Sequence, residues 1–311
     1  MNLLEVNNLH TYFDTDAGVI KAVDGVSFSV KAGRTLGIVG ESGSGKSVTA
    51  MSVIRLLDYP GKIMSGEVLY QGEDLVKVSE ARMRSMRGND ISVIFQEPMT
   101  SLNPVFKIKK QLNEAIILHQ NVSKDEATKI SLKMLEAVKL EDPKALIEKY
   151  PHQLSGGMRQ RVMIAMALAC EPSILIADEP TTALDVIIQA DILQLMNDLK
   201  KDFNTSIIFI SHDLGVVSQM ADDVIVMING KVVEQAPIRK LFENPIHPYT
   251  RTLISAFLRT DIDTDIDNLQ VLDNYEKENE KFDFKNFKEL RQADKDWIEI
   301  DTDHFVSVNL K

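Results

Sequence analysis

The sequence predicts an α/β fold, with an antiparallel β layer ahead of the core and an all-helical subdomain inserted in it. Three observations carry this. Short apolar runs bounded by turn residues alternate with helical patterns. A glycine-rich loop joins one such strand to a helix. Between two strand-bearing regions, Val105 to about Glu148 turns wholly helical in pattern.

The core is a P-loop core because of Gly40-Glu41-Ser42-Gly43-Ser44-Gly45-Lys46-Ser47, which reads Gly, four residues, Gly-Lys-Ser. Thr35 to Val39 ahead of it is a short apolar strand, and Ser47 to Leu57 behind it has helical spacing. Glycines let successive N–H groups turn inward on an anion, and the helix N-terminus adds partial positive charge. The motif assigns Gly40 to Val48 to a nucleotide, with Lys46 reaching the β and γ phosphates. The Ser47 hydroxyl is placed to ligate Mg²⁺.

The composition is that of an ordinary globular protein, 311 residues with 44% apolar and 26% charged. The length allows one large domain or two ordinary ones. No apolar run approaches the roughly 18 residues that span a bilayer. The first residues, Met1 to Val6, lack a basic start and an apolar signal core, so the chain is expected in the cytoplasm. The single cysteine, Cys170, excludes an internal disulfide and argues against a cysteine-based metal site. The net charge of −11 argues against nucleic acid as the main partner.

Ahead of the P-loop, Leu3–Val6, Ala22-Val23 and Val26–Val30 read as short strands punctuated by Gly18, Gly25 and Gly33. An aromatic ring about thirty residues before Lys46 can stack on adenine. Phe13 is the first candidate and Tyr12 the second, with core packing the alternative. After a break at Asp58-Tyr59-Pro60-Gly61, Gly66–Tyr70 and Ile91–Phe95 are strands. The second ends at Gln96-Glu97-Pro98, where Gln96 can face Mg²⁺ or the attacking water, or be an exposed loop residue. Val105–Gln120 is then a helix. Ser123-Lys124-Asp125-Glu126 has capping-box spacing and starts another, to about Lys139, and Asp142-Pro143 opens a third. This insert is expected to move relative to the core.

Leu154-Ser155-Gly156-Gly157 precedes a long helix, Gln160–Cys170, and makes a second N-terminus suited to anions, with Ser155 as cap. The chain already has a phosphate loop. Ser155, Gly156 and Gly157 therefore read as contacts to nucleotide held by another subunit, or else as a plain cap. Ile174–Ala177 is a buried strand ending in Asp178 and Glu179, one carboxylate for Mg²⁺ and one to polarise the attacking water as general base. Asp185 follows, placed to link two subunits' sites. Ser206–Ile210 is another buried strand, ending at Ser211-His212, where a γ-phosphate sensor would sit.

In this order and spacing, the P-loop, Gln96, the Ser155 turn, the acidic pair and His212 resemble the nucleotide-binding subunit of an ABC transporter over about residues 1–258. More narrowly, Gln96–Pro104, Tyr150-Pro151-His152 and Asn244–Thr250 resemble the oligopeptide/dipeptide importer ATPases. Met158 with Thr181–Val186 resembles the D-type partner. The resemblance implies a P-loop NTPase (RecA-like) core with the helical subdomain at about 97–156, ATP and Mg²⁺ as ligands, and ATP hydrolysis that energises import. Di- and oligopeptides lead as cargo, with nickel or metal chelates second and a soluble, non-transport ABC ATPase third. It implies a heterodimer with an F-type ATPase, two membrane permease subunits, an external binding protein, and a place at the cytoplasmic face of the membrane. Catalysis would fall to Glu179, His212 and Gln96, metal binding to Ser47, Gln96 and Asp178, and permease contact to the helices around Met99–Lys110.

Members of this subfamily often carry a cysteine cluster after the His-Pro-Tyr segment. Here that region has none, so no iron–sulfur centre is expected. Residues 259–311 form an acidic tail, expected to be partly folded. From Asp261 on it holds about eight of the eleven net negative charges. Asp261-Ile262-Asp263-Thr264-Asp265 invites a calcium loop, but Ile266 and Leu272 stand where Gly and Glu are needed, so a flexible acidic linker is expected. Trp297–Ile300 and His304–Val306 resemble the family's last strands.

Overall fold

The structure, a computed structural model, describes residues 2–96, 101–182, 184–260 and 297–307. The readings at Glu97 to Thr100, at Ala183 and over Asp261 to Asp296, the acidic linker included, lie outside these residues.

Strands β1 (Asn2–Thr15) and β2 (Gly18–Lys31) form a hairpin of two 14-residue strands. The three short strands expected here are thus one continuous pair. Gly25, read as a turn, sits at a register shift instead, at φ 81°, opposite another shift that holds Asn8 at φ 48°. β1 also pairs with β4 (Gly61–Tyr70), and β4 with β5 (Glu73–Asp74), which completes the antiparallel layer in the order β2-β1-β4-β5.

The second sheet has eight strands. β3 (Thr35–Val39) lies in parallel between β8 (Ser206–Ser211) and β9 (Asp223–Ile228), and β7 (Ile174–Asp178) and β6 (Ile91–Ile94) continue the parallel run beyond β8. On the other edge β10 (Lys231–Pro237), β12 (His304–Ser307) and β11 (Trp297–Asp301) add antiparallel strands. The parallel strands are buried on both faces. On β8, Ile208 and Ile210 pack toward the antiparallel layer, while Ile207 and Phe209 pack toward the helices. That explains their near-continuous apolar reading.

Helix α1 (Lys46–Val53) is shorter than its pattern predicts. Arg55 turns left-handed at φ 53°, while its N–H and that of Leu56 bond back to Ser52 and Met51 carbonyls. α2 (Glu80–Met86) precedes β6. The helical region holds α3 (Ile108–Gln120), α4 (Lys124–Ala137), α5 (Pro143–Leu146) and α6 (Gly156–Leu168). α3 starts three residues later than expected because buried Gln111 ties down the preceding turn, bonding both backbone groups of Asn103 and the Phe106 carbonyl. The Ser123 and Ser155 hydroxyls cap α4 and α6 by accepting from Glu126 and Met158 N–H. α7 (Val186–Asp202), α8 (Leu214–Met220), α9 (Ile238–Glu243) and α10 (Pro248–Thr260) complete the fold. Among the described residues, no helix is long and apolar enough to cross a membrane.

Candidate active site

The site residues lie where the topology directs them, beyond the carboxyl ends of adjacent parallel strands. β3 delivers the P-loop, β8 delivers Ser211 and His212, β7 delivers Asp178 and Glu179, and β6 delivers Phe95 and Gln96. In register, Val39 stands beside Ser211, Asp178 beside Ile210, and Ile94 beside Ala177.

The P-loop has no room for side chains at two of its glycines. A Cβ on Gly40 would meet the Met227 carbonyl, and one on Gly45 the Ala22 carbonyl, at φ 153° and 100°. Lys46 is buried, and its Nζ donates to the Gly40 and Glu41 carbonyls at 2.7 Å each. Burial pulls its ammonium below the ordinary lysine value, against the pull of Glu179, Asp178 and Glu41. A polyanion here would restore the missing counter-charge.

The Ser47 Oγ donates to Asp178 Oδ1 at 3.0 Å. Burial, with the Glu179 charge, raises the Asp178 carboxyl above the ordinary value, although the Ser47 bond and Lys46 oppose it. A hydroxyl and a carboxylate in contact, with the Gln96 amide nearby, are hard oxygen donors of the kind magnesium takes alongside phosphate oxygens.

Glu179 is the hub. Its Oε1 meets His212 Nδ1 at 3.0 Å, and its Oε2 accepts from Gln96 Nε2 and the Thr182 hydroxyl, each at 2.9 Å. Burial would raise this carboxyl. The His212 and Thr182 hydrogen bonds and the charge of Lys46 outweigh it, so it stays below the ordinary glutamate value and is ionised at neutral pH. The backbone turns left-handed here, at φ 47°, a conformation that costs a non-glycine residue about 1–2 kcal/mol.

The three residues expected to carry catalysis, Gln96, Glu179 and His212, are therefore in one hydrogen-bonded cluster. Thr182 is a fourth member that the sequence reading did not single out; a hydroxyl three residues past the carboxylate was the available signal. Thr182→Ala is expected to lower ATP turnover roughly tenfold, the loss of one hydrogen bond to a charged group. The affinity for ATP should hold, as steady-state kinetics with a binding titration will check.

The other candidates stand apart from this cluster. Ser155 and Gly156 are exposed at the start of α6, and Gly157 packs against Ile188. Asp185 caps α7, its carboxylate accepting from Ile188 N–H at 3.0 Å. Phe13 lies against Gly61, in the space a Cβ there would need. The Tyr12 hydroxyl donates to Asp24 at 2.8 Å, and the Lys21 ammonium sits 5.4 Å from the center of its ring.

A glycine loop on a buried lysine, joined to a carboxylate pair at parallel strand ends, defines a nucleotide triphosphatase of the P-loop class. A family model described as ABC transporter matches residues 23–182, and one described as the oligopeptide/dipeptide transporter C-terminal region matches 233–284. The chain is 54% identical over 255 residues to the probable peptide ABC transporter ATP-binding protein y4tR of Sinorhizobium fredii, covering 82% of this chain and 76% of that one. It is 52% identical over 271 residues to the oligopeptide transport ATP-binding protein AppD of Bacillus subtilis, covering 87% and 82%. Among solved structures it resembles the ATP-binding cassette MJ0796, a dimer in a post-hydrolysis state bound to ADP and Pi. The TM-score is 0.68 and the identity 28%, over 76% of this chain and 99% of that one. The chain belongs to the ATP-binding proteins of ABC transporters, ATPases whose hydrolysis is coupled to transport.

Proposed function

We propose that the chain binds and hydrolyses ATP to energise import of di- and oligopeptides, at the cytoplasmic face of the membrane. The observation that carries the chemistry is the Glu179 carboxylate, ionised and held by His212, Gln96 and Thr182 at the strand ends that also bear the P-loop. Glu179 takes the proton of the attacking water, and Gln96 and His212 face the γ-phosphate. Gly40, Glu41, Ser42, Gly43, Ser44, Gly45, Lys46, Ser47 and Val48 hold the phosphates, and Phe13 stacks on adenine. Magnesium would be held by Ser47, Asp178 and Gln96. When bound, it neutralises charge on the β and γ oxygens.

Peptide as cargo is supported by the names of the relatives and by the match over residues 233–284. We place the cassette at residues 1–258, its helical subdomain at about 97–156, and the acidic tail at 259–311. The exposed turn at Ser155, Gly156 and Gly157 completes the site of a second, F-type ATPase subunit. Asp185 and the exposed Val186 and Ile187 lie on the same face of that contact. Two permease subunits sit above the ATPase pair, and this chain meets one of them through the helices around Met99–Lys110, beside a groove of about 320 Å³ lined by Leu56, Phe95, Ala115, Met163 and Met166. An external binding protein supplies the peptide.

Reconstitution in proteoliposomes with the membrane subunits that co-purify tests this. The expected result is ATP-dependent uptake of a labelled tetrapeptide. Uptake of Ni²⁺ without peptide overturns the cargo, and recovery of the chain with ribosomes or DNA in place of a membrane partner overturns the transport role.

A further inference from the structure

A tyrosine far from the P-loop in sequence touches it in space. Tyr249, at the start of α10, is fully buried, and its hydroxyl oxygen accepts the backbone N–H of Glu41 at 2.9 Å, 208 residues away. The Glu41 carbonyl takes the Lys46 ammonium at 2.7 Å, so one peptide residue of the loop is gripped from both sides.

Tyr249 is in turn the end of a buried chain of hydrogen bonds. Its N–H donates to His247 Nδ1 at 3.2 Å. Burial pulls that imidazole down to about 3, so it is neutral and its ring proton sits on Nε2. The His247 N–H donates to Glu234 Oε2 at 2.9 Å, and Glu234 Oε1 meets His304 Nε2 at 2.7 Å. His304 begins β12, in the hairpin at the far end of the sequence. Tyr249, His247, Glu234 and His304 are all buried, where a hydrogen bond holds its geometry without competition from water.

We infer that Tyr249 is a positioning residue for the phosphate loop, and that the Tyr249–His247–Glu234–His304 chain makes the seating of the C-terminal hairpin a determinant of ATP affinity. The inference rests on the assignment of Gly40–Ser47 to the phosphates and is independent of the cargo. The loop holds phosphate in the ground state and the transition state alike, so its displacement raises KM more than it lowers kcat.

The test is titration of full-length Tyr249→Phe and His304→Gln with a fluorescent ATP analogue and Mg²⁺, together with hydrogen exchange at the Glu41 amide. Tyr249→Phe removes the hydroxyl and keeps the ring. Its Kd is expected to weaken about three- to tenfold, the range of one net hydrogen bond, and the Glu41 amide to exchange faster. His304→Gln is expected to move both readouts in the same direction. Wild-type affinity and wild-type Glu41 protection in Tyr249→Phe overturn the positioning role. Wild-type affinity in His304→Gln overturns its reach to the hairpin. Should Tyr249→Phe fail to fold, Glu41 exchange in His304→Gln decides: faster exchange supports the chain and unchanged exchange overturns it. Lys46→Ala separates the two levels, because undiminished binding in that variant removes the loop assignment itself.

Discussion

Glu179→Gln is expected to lower ATP turnover by a factor of about 10² to 10⁴, the range for loss of a general base. The substitution keeps the shape of the side chain and removes its charge and its capacity to take a proton. It also breaks the logic of the cluster. The carboxylate accepts from Gln96 and Thr182 on one oxygen and meets His212 on the other. An amide offers one accepting oxygen and one donating nitrogen, so all three contacts survive only if His212 turns an acceptor nitrogen toward it. Nucleotide binding should survive, since Lys46, Ser47 and the loop glycines are untouched. Affinity should even rise, because a negative charge facing the γ-phosphate is gone. Phosphate release and equilibrium binding of ATP check the two halves separately. Turnover within about threefold of wild type would remove Glu179 from the role of base.

The residues of this cluster were legible because each sits where a local pattern ends. Glu179 closes an apolar run, His212 closes another, and Gln96 follows a third. Parallel strands that share a sheet bring such ends together whatever the loops between them do. Phe13 was less legible. Its β1 strand passes through register shifts, and a shift reverses which face a side chain takes, so periodicity alone could not choose between Phe13 and Tyr12. Ser155 was legible as a cap, and the structure places it at a helix start; Asp185, read only as a link between two subunits' sites, caps a helix as well.

Glu234 was not legible at all. In Lys231-Val-Val-Glu-Gln-Ala-Pro it reads as one polar residue of an alternating edge strand. Its partners are Ile246 and His247 on one side and His304, 70 residues on, at the other. Tyr249 was quoted only as part of a recognisable segment for the same reason. Contacts across such separations depend on how the strands are ordered in the sheet, which short-range pattern does not encode. The C-terminal hairpin shows the same limit: its strands could be read, but not their return to β10.

Glu234→Ala is expected to cost about 3–5 kcal/mol, because it leaves two buried backbone N–H groups and a buried imidazole without their partner, at about 1–3 kcal/mol each. Glu234 is fully buried and makes three hydrogen bonds: it accepts from Ile246 N–H and His247 N–H, each at 2.9 Å, and meets His304 Nε2 at 2.7 Å. Alanine leaves all three partners buried beside a void that methyl cannot fill. At roughly 2–4 °C per kcal/mol for a chain of this size, the melting temperature should fall by on the order of ten degrees. Calorimetry of the full chain measures it. The hairpin also holds Trp297, the one tryptophan of the sequence, whose partly buried ring packs against the core, so its emission should shift to the red as the hairpin loosens. Asp301→Asn is the control. It breaks the 2.7 Å ion pair between Lys240 and Asp301 on the same hairpin, but at a solvated surface where such pairs contribute little, so the melting temperature should stay where it was. Equal losses in the two variants would mean that the hairpin is held by its general packing, through Ile298 and Val306 against Ile246, and not by Glu234.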